Sequence, residues 1–193
     1  MHRTEVISEI ELLEKFSKQG ESYTNSSGSY GWRNPIRSDT GIILQSLVIA
    51  EDPVRILEIG TAHGLSALYF ALGMNENCFI DTIEFDHGVG VDTQERFDRL
   101  EVPGKVHIGE ALDMINKLEG TYDLIFFDAQ KSHYKRQLDL LLEKNLVKKG
   151  TLLLADNVID RSEECAEFLH YFLENGINHT IIQTECGLLV GKL

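Results

Sequence analysis

From residue 54 onward the chain alternates short apolar segments with longer amphipathic ones, and this alternation restricts the folds that it can adopt. Short apolar runs bounded by turn residues are typical of strands, and apolar residues at three- and four-residue spacing are typical of helices. Repeated β–α units favour a parallel sheet that is covered by helices on both faces. The sequence therefore predicts an α/β fold.

The predicted strands of the alternating part are 55–59, 79–85, 105–109, 122–127 and 151–155, and the predicted helices are 66–74, 92–100, 111–118, 132–145 and 162–175. The last two predicted strands, 179–184 and 187–193, are separated by only two residues, which allows only an antiparallel hairpin. The expected fold is thus a Rossmann-like, seven-stranded, mostly parallel sheet with its last strand antiparallel.

The first fifty residues are predicted to form a helical cap on this sheet. Residues 4–18 and 38–50 have helical periodicity, and a Gly-, Ser- and Asn-rich segment between them is expected to be a loop or mobile lid. We expect a single domain in which residues 1–50 are the cap and residues 51–193 the core. The lid residues Trp32, Arg33 and Arg37 are equally compatible with contacts to an acidic or aromatic acceptor and with packing of the cap or a subunit contact.

Composition narrows the function classes. A chain of 193 residues fits one domain, and its net charge of −13 argues against a general nucleic-acid-binding surface. The scattered Cys78, Cys165 and Cys186 favour reduced, packed thiols over a zinc site or a disulfide framework. The charged N-terminus lacks the apolar core of a signal peptide, and no stretch reaches the length of a membrane span, so we expect a cytoplasmic protein.

Four polar residues follow the last two strands of the alternating part. Asp128 and Lys131 follow strand 122–127, and Asp156 and Asn157 follow strand 151–155. If these strands pair, about 4.8 Å apart, their carboxyl ends bring two carboxylates and one amide carbonyl together, which suits Mg²⁺ or a similar cation. Taken singly, Asp and Asn at such positions are ordinary turn formers or helix caps. The combination predicts a metal site, beside which Lys131 could act as a base.

A second candidate site follows the first strand of the alternating part. Gly60 and Gly64 form a G-x-x-x-G loop that lacks the third glycine of the dinucleotide motif. Glu58, just before the turn, would repel a phosphate and favour an ammonium group. Glu84, at the end of the second strand, could accept hydrogen bonds from ribose hydroxyls. A positive amino-acid head group and a ribose without phosphate are the features of S-adenosylmethionine.

Five motifs in order, ILEIGTAHGLS, IEFD, IGEALD, FFDAQK and ADN, resemble the cation-dependent, catechol O-methyltransferase-like family of class I S-adenosylmethionine-dependent methyltransferases. The resemblance covers residues 54–157. It implies methyl transfer from S-adenosylmethionine to a hydroxyl of a small catechol-like acceptor, which a divalent cation such as Mg²⁺ would hold by two vicinal oxygens. It also makes a homodimer plausible.

The resemblance implies roles for individual residues. Glu58 and Ser66 would hold the methionine end of the cofactor, Glu84 the ribose, and Phe85 and Ala111 the adenine. The full set of implied cofactor contacts is Ile36, Glu58, Gly60, Thr61, Gly64, Ser66, Glu84, Phe85, Ala111 and Asp128. The implied metal ligands are Asp128, Asp156 and Asn157, and the implied catalytic residue is Lys131.

The methyl acceptor is left open by the sequence. Ala129 and Gln130 stand where the family often has bulky groups. In the animal enzymes, a region that follows the position of Asn157 helps to recognise a catechol hydroxyl. The corresponding segment of this chain is short and does not match that region clearly. A methyltransferase that acts on a modified uridine in tRNA is the alternative of the same fold. A nicotinamide-dependent oxidoreductase is a further alternative, which the incomplete glycine motif opposes. A non-catalytic S-adenosylmethionine-binding module is another, which the intact set of site residues opposes.

Overall fold

A computed structural model describes residues 1–19, 23–25, 28–30 and 35–193. Its helices are α1 (Arg3–Gln19), α2 (Ser38–Glu51), α3 (Leu65–Gly73), α4 (His87–Leu100), α5 (Ala111–Ile115), α6 (Tyr134–Glu143) and α7 (Ala166–Glu174), and a 3₁₀ turn spans Lys131–His133. Its strands are β1 (Tyr23–Asn25), β2 (Gly28–Tyr30), β3 (Arg55–Ile59), β4 (Phe79–Glu84), β5 (Gly104–Ile108), β6 (Leu124–Phe127), β7 (Leu152–Ala155), β8 (Asn178–Ile182) and β9 (Leu188–Lys192). Among these helices, none is long and apolar enough to cross a membrane.

The central sheet has seven strands in the order β5-β4-β3-β6-β7-β9-β8. Strands β3 to β7 pair in parallel, and β9 runs antiparallel to both of its neighbours, β7 and β8. The predicted sheet, with its last strand antiparallel, is confirmed. The chain builds outward from β3 to β5 and then returns to β6 on the other side of β3. Ligands bind at the carboxyl edge of such a sheet, where the strand order reverses.

Each strand of the sheet centre distributes alternate side chains to two hydrophobic cores. In β6, Leu124 and Phe126 lie in the core under α1 to α4, whereas Ile125 and Phe127 lie in the core under α5 to α7. Side chains alternate across a strand, so a continuous apolar run requires helices on both faces. The predicted covering of both faces is therefore confirmed.

Two local predictions were wrong. The segment predicted as a loop contains an antiparallel pair, β1 and β2, in which Tyr23 lies opposite Tyr30; Trp32 and Arg33 lie outside the described residues. Helix α4 begins at His87 instead of residue 92, because the Asp86 side chain accepts hydrogen bonds from the backbone amides of Gly88 and Val89. This N-cap satisfies two free amides of the first turn, which offsets the low helix propensity of the glycines there.

Candidate active site

The ends of β6 and β7 bring the predicted acidic residues to one edge of the sheet. Phe127 pairs with Ala155 in the last register position of these parallel strands. The next residues continue the strand pattern, since the Asp128 amide donates to the Ile59 carbonyl (2.9 Å) and the Asp156 amide to the Phe127 carbonyl (3.1 Å). The strand pairing on which the predicted metal site depends is confirmed.

Asp128 and Asp156 are both largely buried, and their negative charges repel each other. Burial raises the pKa of Asp128, and the neighbouring Lys131 ammonium opposes that rise. Burial also raises the pKa of Asp156, and the charge of Asp128 adds to it. Within the described part of the chain, Oδ1 of Asp156 is buried without a hydrogen-bond partner. Such an oxygen is costly to bury alone, so this edge of the sheet has the electrostatic character of a cation site.

Asn157 completes the oxygen donors at this edge. Its backbone has a φ of 65°, and its Nδ2 donates to Asp160 Oδ1 at 3.1 Å and to Oδ2 at 3.3 Å. Because the amide nitrogen faces the Asp160 carboxylate, the amide oxygen is directed elsewhere and is available to a cation. No group of three or more His, Cys, Asp and Glu side chains with metal-binding geometry occurs among the described residues. The possible donor set is therefore two carboxylates and one amide, a set with few protein ligands that leaves positions for water and substrate oxygens, as is usual for Mg²⁺.

Lys131 lies directly beside these carboxylates, in the 3₁₀ turn that precedes α6. Its Nζ donates to Asp128 Oδ1 at 3.0 Å and lies 5.8 Å from the ring centre of Tyr134. Tyr134 is fully buried, and its hydroxyl donates to the Asp156 carbonyl at 3.2 Å. Sequence reasoning did not single out Tyr134, because an aromatic residue at the start of an amphipathic helix reads as ordinary core.

Two cavities meet at this point. The first, here called the acidic cavity, has a volume of about 310 Å³, and its lining includes Asp156, Asn157, Asp160, Arg161 and Arg37. The second, the glycine-loop cleft, has a volume of about 400 Å³, and its lining includes Gly60, Glu84, Phe85, Gly109 and Ala111. Asp128, Gln130 and Lys131 line both cavities. A molecule in the cleft and a molecule in the acidic cavity would therefore meet at the same three residues.

The glycine-loop cleft presents a carboxylate and an aromatic ring to a ligand. Glu84 is held in place because its two oxygens accept hydrogen bonds from the backbone amides of Ala62 and Asp86, each at 2.8 Å. Each oxygen keeps a second lone pair for a ligand hydroxyl. Phe85 is 72% exposed beside this carboxylate, which is unusual for a phenylalanine and leaves its ring face free to stack on a flat ligand.

Glu58 lies fully buried behind the glycine loop. It accepts hydrogen bonds from the hydroxyls of Ser66 and Thr82, the latter at 2.6 Å. Burial raises the pKa of Glu58 to about 8, although both hydroxyls act to lower it. A positively charged group close to this carboxylate would restore its ionised form. Thr82 was not predicted, because only the pairing of β3 with β4 places it opposite Glu58.

Several residues predicted to contact a cofactor do not line either cavity. Glu58, Thr61, Gly64 and Ser66 are buried and belong to neither lining, and Ile36 is 5% exposed within the hydrophobic core. Arg37, one residue further along, does line the acidic cavity and pairs with Glu185 at 3.1 Å. Among the residues predicted for the two sites, those that line the cleft are Gly60, Glu84, Phe85, Ala111, Asp128 and Lys131.

Comparisons with known proteins agree with this architecture. The sequence profile of the O-methyltransferase family matches residues 12–166. The chain is 32% identical over 135 residues to catechol O-methyltransferase B of Danio rerio, which covers 66% of this chain and 51% of that protein. It is 33% identical over 130 residues to a catechol O-methyltransferase of Niastella koreensis, which covers 64% of this chain and 58% of that protein. The chain thus spans little more than half the length of these relatives.

A solved structure has the same fold over nearly the whole chain. The O-methyltransferase from Bacillus cereus, crystallised in complex with SAH, superposes with a TM-score of 0.80 at 22% sequence identity, covering 96% of this chain and 90% of that one. At this identity the likeness shows the shared fold, and the family match rests on the sequence profile, which covers most of the chain. The chain belongs to the O-methyltransferase family.

Proposed function

We propose that this protein transfers a methyl group from S-adenosylmethionine to a hydroxyl of a small, catechol-like acceptor, with a divalent cation such as Mg²⁺ at the acidic cavity. The observation that carries the proposal is the shared wall of Asp128, Gln130 and Lys131 between two cavities of different character. Transfer between two bound molecules requires that their reacting atoms meet in a fixed geometry. The names of the two catechol O-methyltransferase relatives support the class of acceptor.

The glycine-loop cleft has the chemistry that the methyl donor requires. S-adenosylmethionine carries a sulfonium methyl, an ammonium, a ribose and an adenine. Glu84 would accept hydrogen bonds from the ribose hydroxyls, and Phe85 would stack on the adenine. Gly60 has a φ of 104°, and a Cβ there would lie 2.6 Å from the Asp128 carbonyl oxygen. A side chain at position 60 would therefore collide with the shared wall.

The acidic cavity has the chemistry that a divalent cation requires. Asp128, Asp156 and Asn157 would hold the ion. The observation that favours a cation over a purely structural role for these side chains is that Oδ1 of Asp156 has no partner within the part of the chain that the structure describes. When bound, the ion would hold two vicinal oxygens of the acceptor and lower the pKa of one hydroxyl. A hard cation with few protein ligands keeps positions for such oxygens.

Lys131 is positioned to take the proton of the acceptor hydroxyl. Its side chain is 19% exposed and lies on the wall that both cavities share. Its Nζ donates a hydrogen bond to Asp128 Oδ1 at 3.0 Å. A cation held by Asp128 would replace this charge compensation and favour loss of the Lys131 proton, which leaves the neutral amine that a base requires. The same side chain can turn to a hydroxyl in either cavity, because its flexible stem allows several positions of the amine.

The test is a comparison of SAH release from catechol and from bulk tRNA, each with Mg²⁺ and with EDTA. We expect release with catechol and Mg²⁺, and its loss with EDTA. In the Asp156→Ala variant we expect metal-stimulated release to disappear while binding of SAH, measured by calorimetry, is kept. Glu163→Gln removes the same formal charge at an exposed position outside both cavities and is the control. Undiminished metal-dependent release by Asp156→Ala would overturn the assignment of the metal site.

The tRNA alternative has less support. Both curated relatives described above are named for catechol, and the net charge of −13 disfavours contacts with phosphates. Methyl transfer to bulk tRNA and none to catechol compounds would reverse this preference.

A further inference from the structure

The glycine loop between β3 and α3 has an unusual backbone that needs outside support. Gly60, Ala62 and Gly64 have φ values of 104°, 44° and 78°. The left-handed value at Ala62 is disfavoured for a residue with a side chain. Such a conformation persists only where neighbouring groups hold it. The groups that do so at this loop determine how the loop meets a ligand.

Two side chains of α4 hold consecutive carbonyl groups of the loop. Thr93 Oγ1 donates to the Ala62 carbonyl at 3.0 Å, and Arg96 Nη1 donates to the His63 carbonyl at 3.0 Å. Residues three apart lie on the same face of a helix, so one face of α4 supports the loop. Neither Thr93 nor Arg96 is part of the lining of the glycine-loop cleft.

Arg96 is in turn held by Glu9 of α1. Arg96 is 4% exposed, and its Nε lies 2.7 Å from Oε1 of Glu9, which is itself 8% exposed. The other oxygen of Glu9 accepts a hydrogen bond from Arg99 Nη2 at 2.8 Å. Burial acts to raise the pKa of Glu9, but hydrogen bonds from Arg96 and Arg99 overcome it and keep that pKa below its usual value. The carboxylate stays ionised at neutral pH and fixes the planar guanidinium of Arg96.

We propose that Arg96, fixed by Glu9, is a positioning residue that sets the backbone of the glycine loop for binding of the methyl donor. The identity of that ligand rests on the function proposed above. Helix α1 thereby contributes to the donor site from a distance, through a path of Glu9, Arg96 and the His63 carbonyl. Helix α1 would preorganise the loop. Preorganisation increases affinity because less conformational entropy of the loop is lost when the donor binds.

The path predicts a specific kinetic pattern. Neither Glu9 nor Arg96 lines the acidic cavity, so we expect their loss to leave proton transfer and the cation ligands intact. If the donor itself has to order the loop, part of the binding free energy is spent on that ordering, and the donor binds more weakly. Once the donor is saturating, the assembled site is the same as in the wild-type protein. We therefore expect a higher KM for S-adenosylmethionine with little change in kcat.

The experiment compares Glu9→Gln and Arg96→Lys with the wild-type protein. Glutamine removes the charge of Glu9, and lysine lacks the fork that bonds Glu9 and the His63 carbonyl together. We expect the Kd for SAH to rise about tenfold or more, since each variant weakens a hydrogen bond to a charged group that holds the loop. Glu11→Gln, at an exposed position of α1, is the matched control. The Kd for Mg²⁺ alone should not change in either variant.

Amide hydrogen exchange of ligand-free protein gives a second readout. Exchange at residues 61–66 should become faster in Glu9→Gln than in Glu11→Gln, without a similar change in the central sheet. If Arg96→Lys does not fold, it is replaced by Thr93→Val, which removes the other hydrogen bond from α4 to the loop and should also weaken SAH binding.

The outcomes separate the two proposals. If wild-type protein binds no SAH, the proposed function fails, and hydrogen exchange alone still decides whether Arg96 positions the loop. If wild-type protein binds SAH and the variants bind it equally well with unchanged exchange at the loop, the positioning role is overturned.

Discussion

At the scale of single residues, three carboxylates near the carboxyl edge of the sheet differ in how the fold treats them. Among the described residues, Glu58 has hydroxyl partners and no cation, Asp128 is paired with Lys131, and Asp156 has one oxygen without a partner. Burial raises the pKa of all three above the ordinary value. Buried acids without full charge compensation are typical of functional sites and reduce the stability of the ligand-free protein.

The pH dependence of the free energy of unfolding tests how burial destabilises the ionised form of Glu58. Its pKa rises from 4.5 to about 8 on folding, so the folded protein binds this proton more tightly than the unfolded chain. The contribution of Glu58 to stability is therefore fully present below about pH 4.5 and is lost as the pH rises through about 8. We expect the free energy of unfolding of the Glu58→Gln variant, measured in urea, to fall less than that of the wild-type protein between about pH 5 and about pH 8. Parallel curves for the two proteins would show that Glu58 keeps an ordinary pKa.

At the scale of elements, the contact between α2 and α3 depends on a small residue. A Cβ at Gly41 of α2 would overlap the ring of Tyr69, which is buried and donates a hydrogen bond to Glu14 Oε1 at 2.6 Å. The ring is therefore held from two sides and has little room to move. Close packing of α2 on α3 matters for the site, because α3 begins directly after Gly64 of the glycine loop.

We expect Gly41→Ala to destabilise the protein, although alanine favours helices over glycine. Overpacking costs about 1–3 kcal/mol, which exceeds the gain of about 1 kcal/mol in helix propensity. The control is Ser46→Ala at an exposed position of the same helix, where we expect a change within about 0.5 kcal/mol. Urea unfolding curves measure both. A gain in stability with Gly41→Ala would mean that α2 and α3 separate more easily than their contact indicates.

At the scale of the whole molecule, ligand binding at the sheet edge should stabilise both hydrophobic cores together. The sheet carries both cores, and its carboxyl edge carries both cavities, so a ligand that binds only the folded protein stabilises all of it. Clusters of buried acids at this edge make the ligand-free protein the less stable form.

Thermal unfolding with ligands measures this linkage. SAH at about 100 times its Kd should add about 2.7 kcal/mol to the free energy of unfolding, which raises Tm by roughly 5–10 °C in a protein of this size. Mg²⁺ should raise Tm separately in the wild-type protein and not in Asp156→Ala. A rise with Mg²⁺ that the variant retains would place the cation outside the acidic cavity.

Much of the fold could be predicted because its signals are local. The strand at 55–59 and the hairpin at the C-terminus follow from runs of apolar residues and the length of the connection between them. The predictions at β1, β2 and the start of α4 were wrong because neither short polar strands nor a cap by Asp86 carries a periodic apolar signal.

The amino-acid sequence by itself determined the order of strands and helices, the two-faced sheet and the residues that follow β6 and β7, because periodicity and turn chemistry act over a few neighbouring positions. Only the tertiary structure decided that Asp128 and Lys131 line two cavities at once, that Thr82 bonds Glu58, and that Arg96 reaches the glycine loop. Such contacts join residues far apart in the chain, and burial and charge compensation exist only once distant elements have packed together.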